Sequence, residues 1–376
     1  MLSYHSVLPQ NKKDTYTEFD IVDFELDFAG RKMLGNTLRI KANVKINSTG
    51  DTLVTGANDV NIDQFVGGHS FFDSITTEAQ TVGVIENLVE YPRYVRMSGE
   101  AMLDKSDLFN SEHLCEMKFA SKEFGRSMLA GGRLMEVVTT GNAGNDLTGL
   151  DFSIKPMFCL NRISTNDNTN MVSFTKTGSI RISLKLARNA NVLFGSNVTA
   201  DYNYKLENLE LCYTSIPDDG KSNKVMMRTK LNIKQSMNSK FANISTKVPA
   251  VCNAVSCSFQ QQSREGQVAF NSCQTERVPN ITELQFIFND SQDQYVTYQI
   301  KDLSEIAKRY LESFADTGHN STQVKYLMNN EGFGIGLNFK DNIDLSRQKF
   351  NVQMSSDITN NQPYIIYLYF HSMMEM

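Results

Sequence analysis

The side chains able to do chemistry in this 376-residue chain are dispersed rather than clustered. The six cysteines are Cys115, Cys159, Cys212, Cys252, Cys257 and Cys273. They form no Cys-x-x-Cys pair, and the five histidines (His5, His69, His113, His319, His371) offer no pair at metal-ligand spacing. His113 and Cys115 point apart on a helix. On a strand they share a face but lack the third group that would orient the base. Gly332-x-Gly334-x-Gly336 has the look of a phosphate loop without its strand–turn–helix context. Inside an alternating apolar pattern, those glycines predict close approach of another backbone or a bulky side chain to a strand. Asp341-Asn342-Ile343-Asp344 lacks the carboxylate spacing, central glycine and final glutamate of a calcium loop, and is expected to be a solvated connection. Asp218-Asp219 sits in Ile216-Pro217-Asp218-Asp219-Gly220, where turn chemistry accounts for both acids. Spacing therefore assigns no catalytic, cofactor-binding or metal-ligating residue.

The elements that would have to position any site are strands. From Leu38 to Ile46, residues Leu38, Ile40, Ala42, Val44 and Ile46 alternate with Arg39, Lys41, Asn43 and Lys45. That period of two gives one buried and one wet face. Ile180–Leu186 repeats it, as do Phe24–Leu26–Phe28, Leu150–Phe152–Ile154 and Leu284–Phe286–Phe288. Tyr202, Tyr204 and Leu206 lie on one parity, and Leu209, Leu211 and Tyr213 on the other, so a β-bulge is predicted near Asn208. Tyr364–Phe370 is apolar on both parities and is expected to be covered on both sides. Cys159 and Cys212 fall within strand patterns as small buried hydrophobes. Met226, Met227, Met373, Met374 and Met376 read as gap-filling side chains.

Helical signal is sparse. Leu303–Phe314 carries an apolar stripe, with Asp302 as N-cap and Glu305 three residues on. A weaker helical candidate lies within Ser111–Phe124. The 35 asparagines and the 21% charged content also favour turns and strand ends over long helices. A dense turn signal at Thr214–Asn223 divides the chain in two. Each half runs a hairpin-like pair (Phe71–Thr77 with Thr81–Glu86, Ile281–Phe288 with Gln294–Ile300), then a less regular or helical segment, then long alternating strands.

The net charge of −5 argues against a chain coated in nucleic acid. The first residues lack a signal-peptide pattern, and no apolar run approaches a membrane-spanning length. A soluble protein of a reducing compartment is expected, in which sequons such as Asn47-Ser48-Thr49 and Asn243-Ile244-Ser245 are chance products of composition.

His69-Ser70-Phe71-Phe72-Asp73-Ser74-Ile75, followed by Asn87 and Tyr91-Pro92-Arg93-Tyr94, resembles the first-sandwich segment of double jelly-roll major capsid proteins of tailless icosahedral viruses, the lineage of tectiviruses, adenoviruses and polinton-like viruses. Ile180–Leu186 with Ala187-Arg188-Asn189, then Tyr204–Tyr213, is similar to the closing strands of that first roll. Gly332–Gly336, Asp341–Ser346 and Pro363–Phe370 are similar to the end of the second. The likeness runs from about Phe19 to the C-terminus and rests on order and strand texture.

The resemblance implies an all-β fold of two tandem eight-stranded jelly-roll sandwiches with one or two short helices. The expected units are an N-terminal arm (1–18), a first roll (19–216), a linker (217–224) and a second roll (225–376). The arm, polar and carrying Lys12 and Lys13, is expected either to order against a neighbour or to fray. The implied function is that of a viral major capsid protein, not an enzyme. It would form a homotrimer with a pseudo-hexagonal outline and contact neighbouring capsomers, penton and minor capsid proteins, and an internal membrane surface where one exists. It would bind no nucleic acid sequence-specifically, would be synthesised in host cytoplasm and would reside in the virion. The rival readings are a two-sandwich hydrolase or amidase acting on glycans, which requires convergent carboxylates in a cleft, and a virion spike or vertex protein.

Overall fold

A computed structural model of the chain describes residues 2–27, 30–48, 52–53, 60, 62–63, 65–102, 115–117, 150–163, 171–195, 201–220, 225–248, 250–289, 295–300, 302–314 and 332–375. Strands dominate. In the first half they are β1 (Ser3–Val7), β2 (Ile21–Leu26), β3 (Arg31–Leu34), β4 (Arg39–Ser48), β5 (Thr52–Leu53), β6 (Phe72–Ala79), β7 (Gly83–Val89), β8 (Leu150–Ile154), β9 (Met171–Ser173), β10 (Ile180–Leu186) and β11 (Asn203–Pro217). In the second half they are β12 (Met226–Met237), β13 (Phe241–Lys247), β14 (Val251–Gln261), β15 (Glu283–Asn289), β16 (Tyr295–Ile300), β17 (Gly334–Asp344), β18 (Lys349–Ser355) and β19 (Tyr364–Glu375). The two longer helices are α1 (Tyr91–Met102) and α2 (Leu303–Glu312).

The second half is two four-stranded antiparallel sheets, ordered β12-β19-β14-β17 and β13-β18-β15-β16. Numbered within that half, the orders are 1-8-3-6 and 2-7-4-5. The first half repeats them. Its smaller sheet runs β2-β10-β6-β7. In its larger sheet, β3 and β4 lie end to end along one side of β11, with β1 on the other side. Beyond them β9, β8 and β5 follow one another along β3 and β4. Seven strand segments thus make a sheet four strands wide, in the same 1-8-3-6 order. The helix α1 follows the fifth strand of the first half, and α2 follows the fifth of the second. Sandwich packing of this kind buries one face of each sheet and leaves the ends to loops.

Local chemistry explains the registers. The burial of β10 alternates strictly, with Ile180, Ile182, Leu184 and Leu186 inside. The expected bulge is present: β11 shifts register against β4 between Glu207 and Glu210, and Asn208 takes φ 51°. Asparagine tolerates that left-handed conformation better than most residues. In α2, the Asp302 carboxylate accepts the Glu305 backbone N–H at 2.8 Å, closing an orphan donor of the first turn.

Several expectations change. Asp341–Asp344 is not a loop but the exposed end of β17, where Val251 pairs with Asp344 and Cys252 with Ile343. Lys340 at φ 66° absorbs the irregularity that lets pairing continue past the core. Thr214–Pro217, read as part of a turn signal, completes β11, and the turn proper starts at Asp218. Buried Lys32 binds Asp218 and Asp219 there. Hydrogen bonds from Ser173 and the Gly220 N–H, with Lys32 nearby, hold the Asp218 carboxyl down at about 2. Residues 3–7 of the 1–18 segment lie along β11 as β1, and Tyr16 bridges Leu206. The helical candidate at Ser111–Phe124 lies almost wholly outside the described residues. The helix that is described, α1, begins at Tyr91, with Pro92 in its first turn, where a missing N–H costs nothing.

Candidate functional site: the seam between the sandwiches

The last strand, β19, is apolar on both parities because it borders two cores. Ile366, Leu368 and Phe370 point between the second pair of sheets, with Phe259, Phe286 and Phe350. Ile365, Tyr367 and Tyr369 point the other way and join the core cluster of the first half. The outer face of the β12-β19-β14-β17 sheet is therefore not a solvent face. It is the floor of a seam onto which the first half is set.

The first turns of α1 form the other wall. Arg93, buried, donates from Nη2 to Gln260 Oε1 at 2.7 Å and to the Ser272 carbonyl at 2.6 Å. Its guanidinium lies 3.9 Å from the Tyr367 ring centroid, a desolvated cation–π contact. Tyr94 packs on Tyr369 with centroids 5.3 Å apart, and the Tyr369 hydroxyl donates to the Glu90 carbonyl at 2.9 Å. Burial pushes both of these phenols up. One turn further, Arg96 pairs with Asp63 at 2.6 Å, and Asn271 of the second half donates to the same carboxylate.

Glu86 of β7 is the polar centre of the seam. Its buried carboxylate accepts the Cys159 N–H at 2.6 Å, the Arg162 guanidinium at 2.8 Å and the Lys230 N–H of β12 at 2.6 Å. A buried carboxylate survives desolvation only when paired and hydrogen-bonded. Here the partners come from both halves, so the charge locks one half against the other. Lys234 of β12 adds an ion pair to Glu90 at 3.1 Å and another to Glu265.

The glycines of β17 do what the sequence predicts. A Cβ on Gly334 would stand 2.4 Å from the Tyr310 ring, and one on Gly336 would stand 2.5 Å from Ser313 Oγ. Their absence lets α2 lie flat on the same outer face, beside the seam.

The three described histidines do not converge. His5 stacks on Tyr213 and contacts Ser215 Oγ at 2.6 Å. His69 lies between the Tyr91 hydroxyl at 2.5 Å and Glu116 at 3.2 Å. His371 touches Ser256 Oγ at 2.8 Å, and Ser256 touches Ser313 at 2.7 Å. This serine–histidine contact is fully buried. Burial, with Lys230, Arg162 and Arg228 near, holds the imidazole well below its ordinary value and so neutral. A nucleophile without access or an orienting carboxylate does structural work. His113 and His319 lie outside the described residues. Cys159, Cys212, Cys252, Cys257 and Cys273 are buried free thiols, and Cys115 is exposed. Met226 and Met227 meet Glu375 and Met374 across β12 and β19, and Met227 is fully buried. No group of three or more histidine, cysteine or acidic side chains suited to a metal occurs among the described residues.

Tyr91-Pro92-Arg93-Tyr94 begins a helix that the sequence analysis does not expect, and Glu86, expected only as the end of a strand, is a buried charge. Tyr91, Tyr94, Val95 and Ser98 do carry the 3, 4, 7 spacing of a helix face, whereas nothing local marks Glu86 as buried.

No protein-family model matches this chain, and no curated protein matches it by sequence. Solved structures do. The Faustovirus major capsid protein superposes with a TM-score of 0.65 at 9% identity, covering 100% of this chain and 90% of that one. The PBCV-1 virus capsid gives 0.59 at 9% identity, covering 100% and 94%. The mavirus major capsid protein gives 0.54 at 10% identity, covering 99% and 90%. With four antiparallel sheets in two like-ordered pairs and full-length likeness to these chains, the protein has the double jelly-roll fold of viral major capsid proteins.

Proposed function

We propose that this chain is the major capsid protein of a tailless icosahedral virus, a building block of the shell rather than an enzyme. The observation that carries the reading is the full-length match of both sandwiches, and of their joining, to capsid subunits that share almost no sequence with it. The seam supports the same role. Two sandwiches fixed by buried ion pairs and stacked rings form one stiff block, and a lattice of weak contacts needs stiff blocks to set its spacing. We take the units to be a first roll over 19–216 and a second over 225–376, joined by 217–224, with 1–18 laid along the edge of the first.

In this reading three chains form a pseudo-hexagonal capsomer that contacts its neighbours and the penton and minor capsid proteins, over an internal membrane where the virus has one. The protein is synthesised in host cytoplasm and resides in the virion. Sedimentation of the purified chain at micromolar concentration is expected to give a trimer or larger, and in purified particles the chain is expected to be the dominant band. A strictly monomeric species, or a minor band, would remove the proposal.

A further inference from the structure

Beside the seam, on the outer face of the β12-β19-β14-β17 sheet, a chain of hydrogen bonds joins His371 to α2. Its direction follows from proton counting. The Ser313 hydroxyl donates its one proton to the Tyr310 carbonyl in the last turn of α2, at 2.6 Å. It therefore accepts from the Ser256 hydroxyl of β14 at 2.7 Å. Ser256, its own proton committed, accepts from His371 at 2.8 Å, so the proton of the neutral ring sits on Nε2. Nδ1 is then the bare nitrogen, and it is buried with no hydrogen-bond partner among the described residues.

The surroundings of the ring are cationic. On β12, buried Lys230 stands opposite His371 in register, with Arg228 two residues before it. The Arg228 N–H donates to the Arg162 carbonyl at 3.0 Å, and all three cations act on the ring through space. The Glu86 carboxylate is already bound to Arg162, and Glu305, Lys308, Arg309 and Glu312 of α2 pair with one another. Residues 254–258 of β14, 334–338 of β17 and 369–373 of β19 carry no charge. The remaining titratable side chains on neighbouring outward positions are the phenols Tyr310 and Tyr369, which acid leaves as they are. Phe314 of the α2 segment closes over the imidazole, with ring centroids 5.5 Å apart. A second ring proton would create a buried N–H without an acceptor and a positive charge among cations, a state that burial penalises heavily.

We propose that His371 is an acid-sensitive latch for α2: when the ring takes up a proton, the helix lifts from the sheet and the imidazole reaches water. The helix is the element free to give. Strands β14 and β19 each have a paired neighbour on both sides, whereas α2 keeps its backbone bonds to itself and is held by side-chain contacts such as that of Asn338 with the Glu312 carbonyl at 3.0 Å. The latch needs only a single chain and acts whether or not the chain assembles.

Amide hydrogen exchange of the full chain tests it, each rate being divided by the intrinsic rate at the same pH. An imidazole freed in the open form titrates at about 6.5, so from about pH 7.5 to pH 5 the opening that frees it becomes about thirtyfold more frequent. That acceleration is expected in α2, which should exchange faster than β10 of the first roll at both pH values. His371→Gln keeps a donor for Ser256 and removes the titration, and its α2 is expected to lose the acceleration. An unaltered chain whose α2 does not accelerate, or exchanges no faster than β10, overturns the latch, and so does equal acceleration in His371→Gln. If that variant does not fold, Ser313→Ala decides. It cuts the chain without touching the ring, and α2 is expected to exchange about fivefold faster at neutral pH, the equivalent of one hydrogen bond. An unchanged rate overturns the latch.

Discussion

The outer faces of the two large sheets have the same topology and opposite fates. On β19, Ile365, Tyr367, Tyr369 and His371 look outward and are covered by the first roll and by α2. On β11, the outward residues include Lys205, Glu207, Glu210 and Thr214, which remain partly open. They carry ordinary surface chemistry: Lys45 pairs with Glu207 at 2.8 Å, and Ser6 donates to Glu210 at 2.8 Å. The difference shows how one strand pattern serves two purposes. A permanent contact within a chain tolerates a wholly apolar face, because it is never exposed after folding. The β11 face meets water, so its outward side chains are mostly polar, with the exposed apolar residues Leu2, Tyr4 and Leu8 at one margin.

Substitutions at matched depths sharpen this contrast. The largest effect is expected for Glu86→Ala. It strands the Arg162 guanidinium and two backbone N–H groups in the seam, and breaking a buried pair from one side costs about 3–5 kcal/mol. Urea unfolding measures it, and a loss below about 1 kcal/mol would mean that the halves are not locked through this carboxylate. Gly334→Ala comes next. It forces the Tyr310 ring away and is expected to cost about 1–3 kcal/mol by overpacking, read as a lowered Tm that the second change Tyr310→Leu partly restores.

His371 gives the covered face a pH signature. Its native value is depressed, so below about pH 6.5 the unfolded chain binds a proton that the native chain does not. Stability is therefore unaffected above that pH. It falls on acidification by up to about 1.4 kcal/mol per pH unit until the native value is reached. His371→Gln should flatten that slope between pH 6.5 and 5, and an unchanged slope would assign the acid sensitivity elsewhere. The smallest effect belongs to the open face. Glu207→Ala removes a half-buried pair at the margin of solvent and is expected to change stability by less than about 1 kcal/mol. A larger loss would erase the distinction between the two faces.

Much of this architecture was legible in residue order. The alternation of Ile180–Leu186, the parity slip at Asn208, the cap at Asp302, the glycines of β17 and the two-sided apolarity of Tyr364–Phe370 each report a local constraint: a period, a turn conformation or a missing Cβ. Each of these appears in the fold. The misread segments were those where pairing outran the local pattern. Asp341–Asp344 is polar enough for a loop yet pairs with β14, and Thr214–Pro217 resembles a turn yet closes β11.

The seam was the least legible part. Glu86, Arg93 and Arg162 look like surface charges in the sequence, because their partners lie 144, 167 and 76 positions away. The sequence by itself determined that this protein is built of strands in two like-ordered halves, because side-chain periodicity and turn chemistry act over a few residues. Only the tertiary structure decided which face of each large sheet is covered. That choice depends on long-range pairing of buried charges and rings, whose free energy exists only once both halves have folded and met.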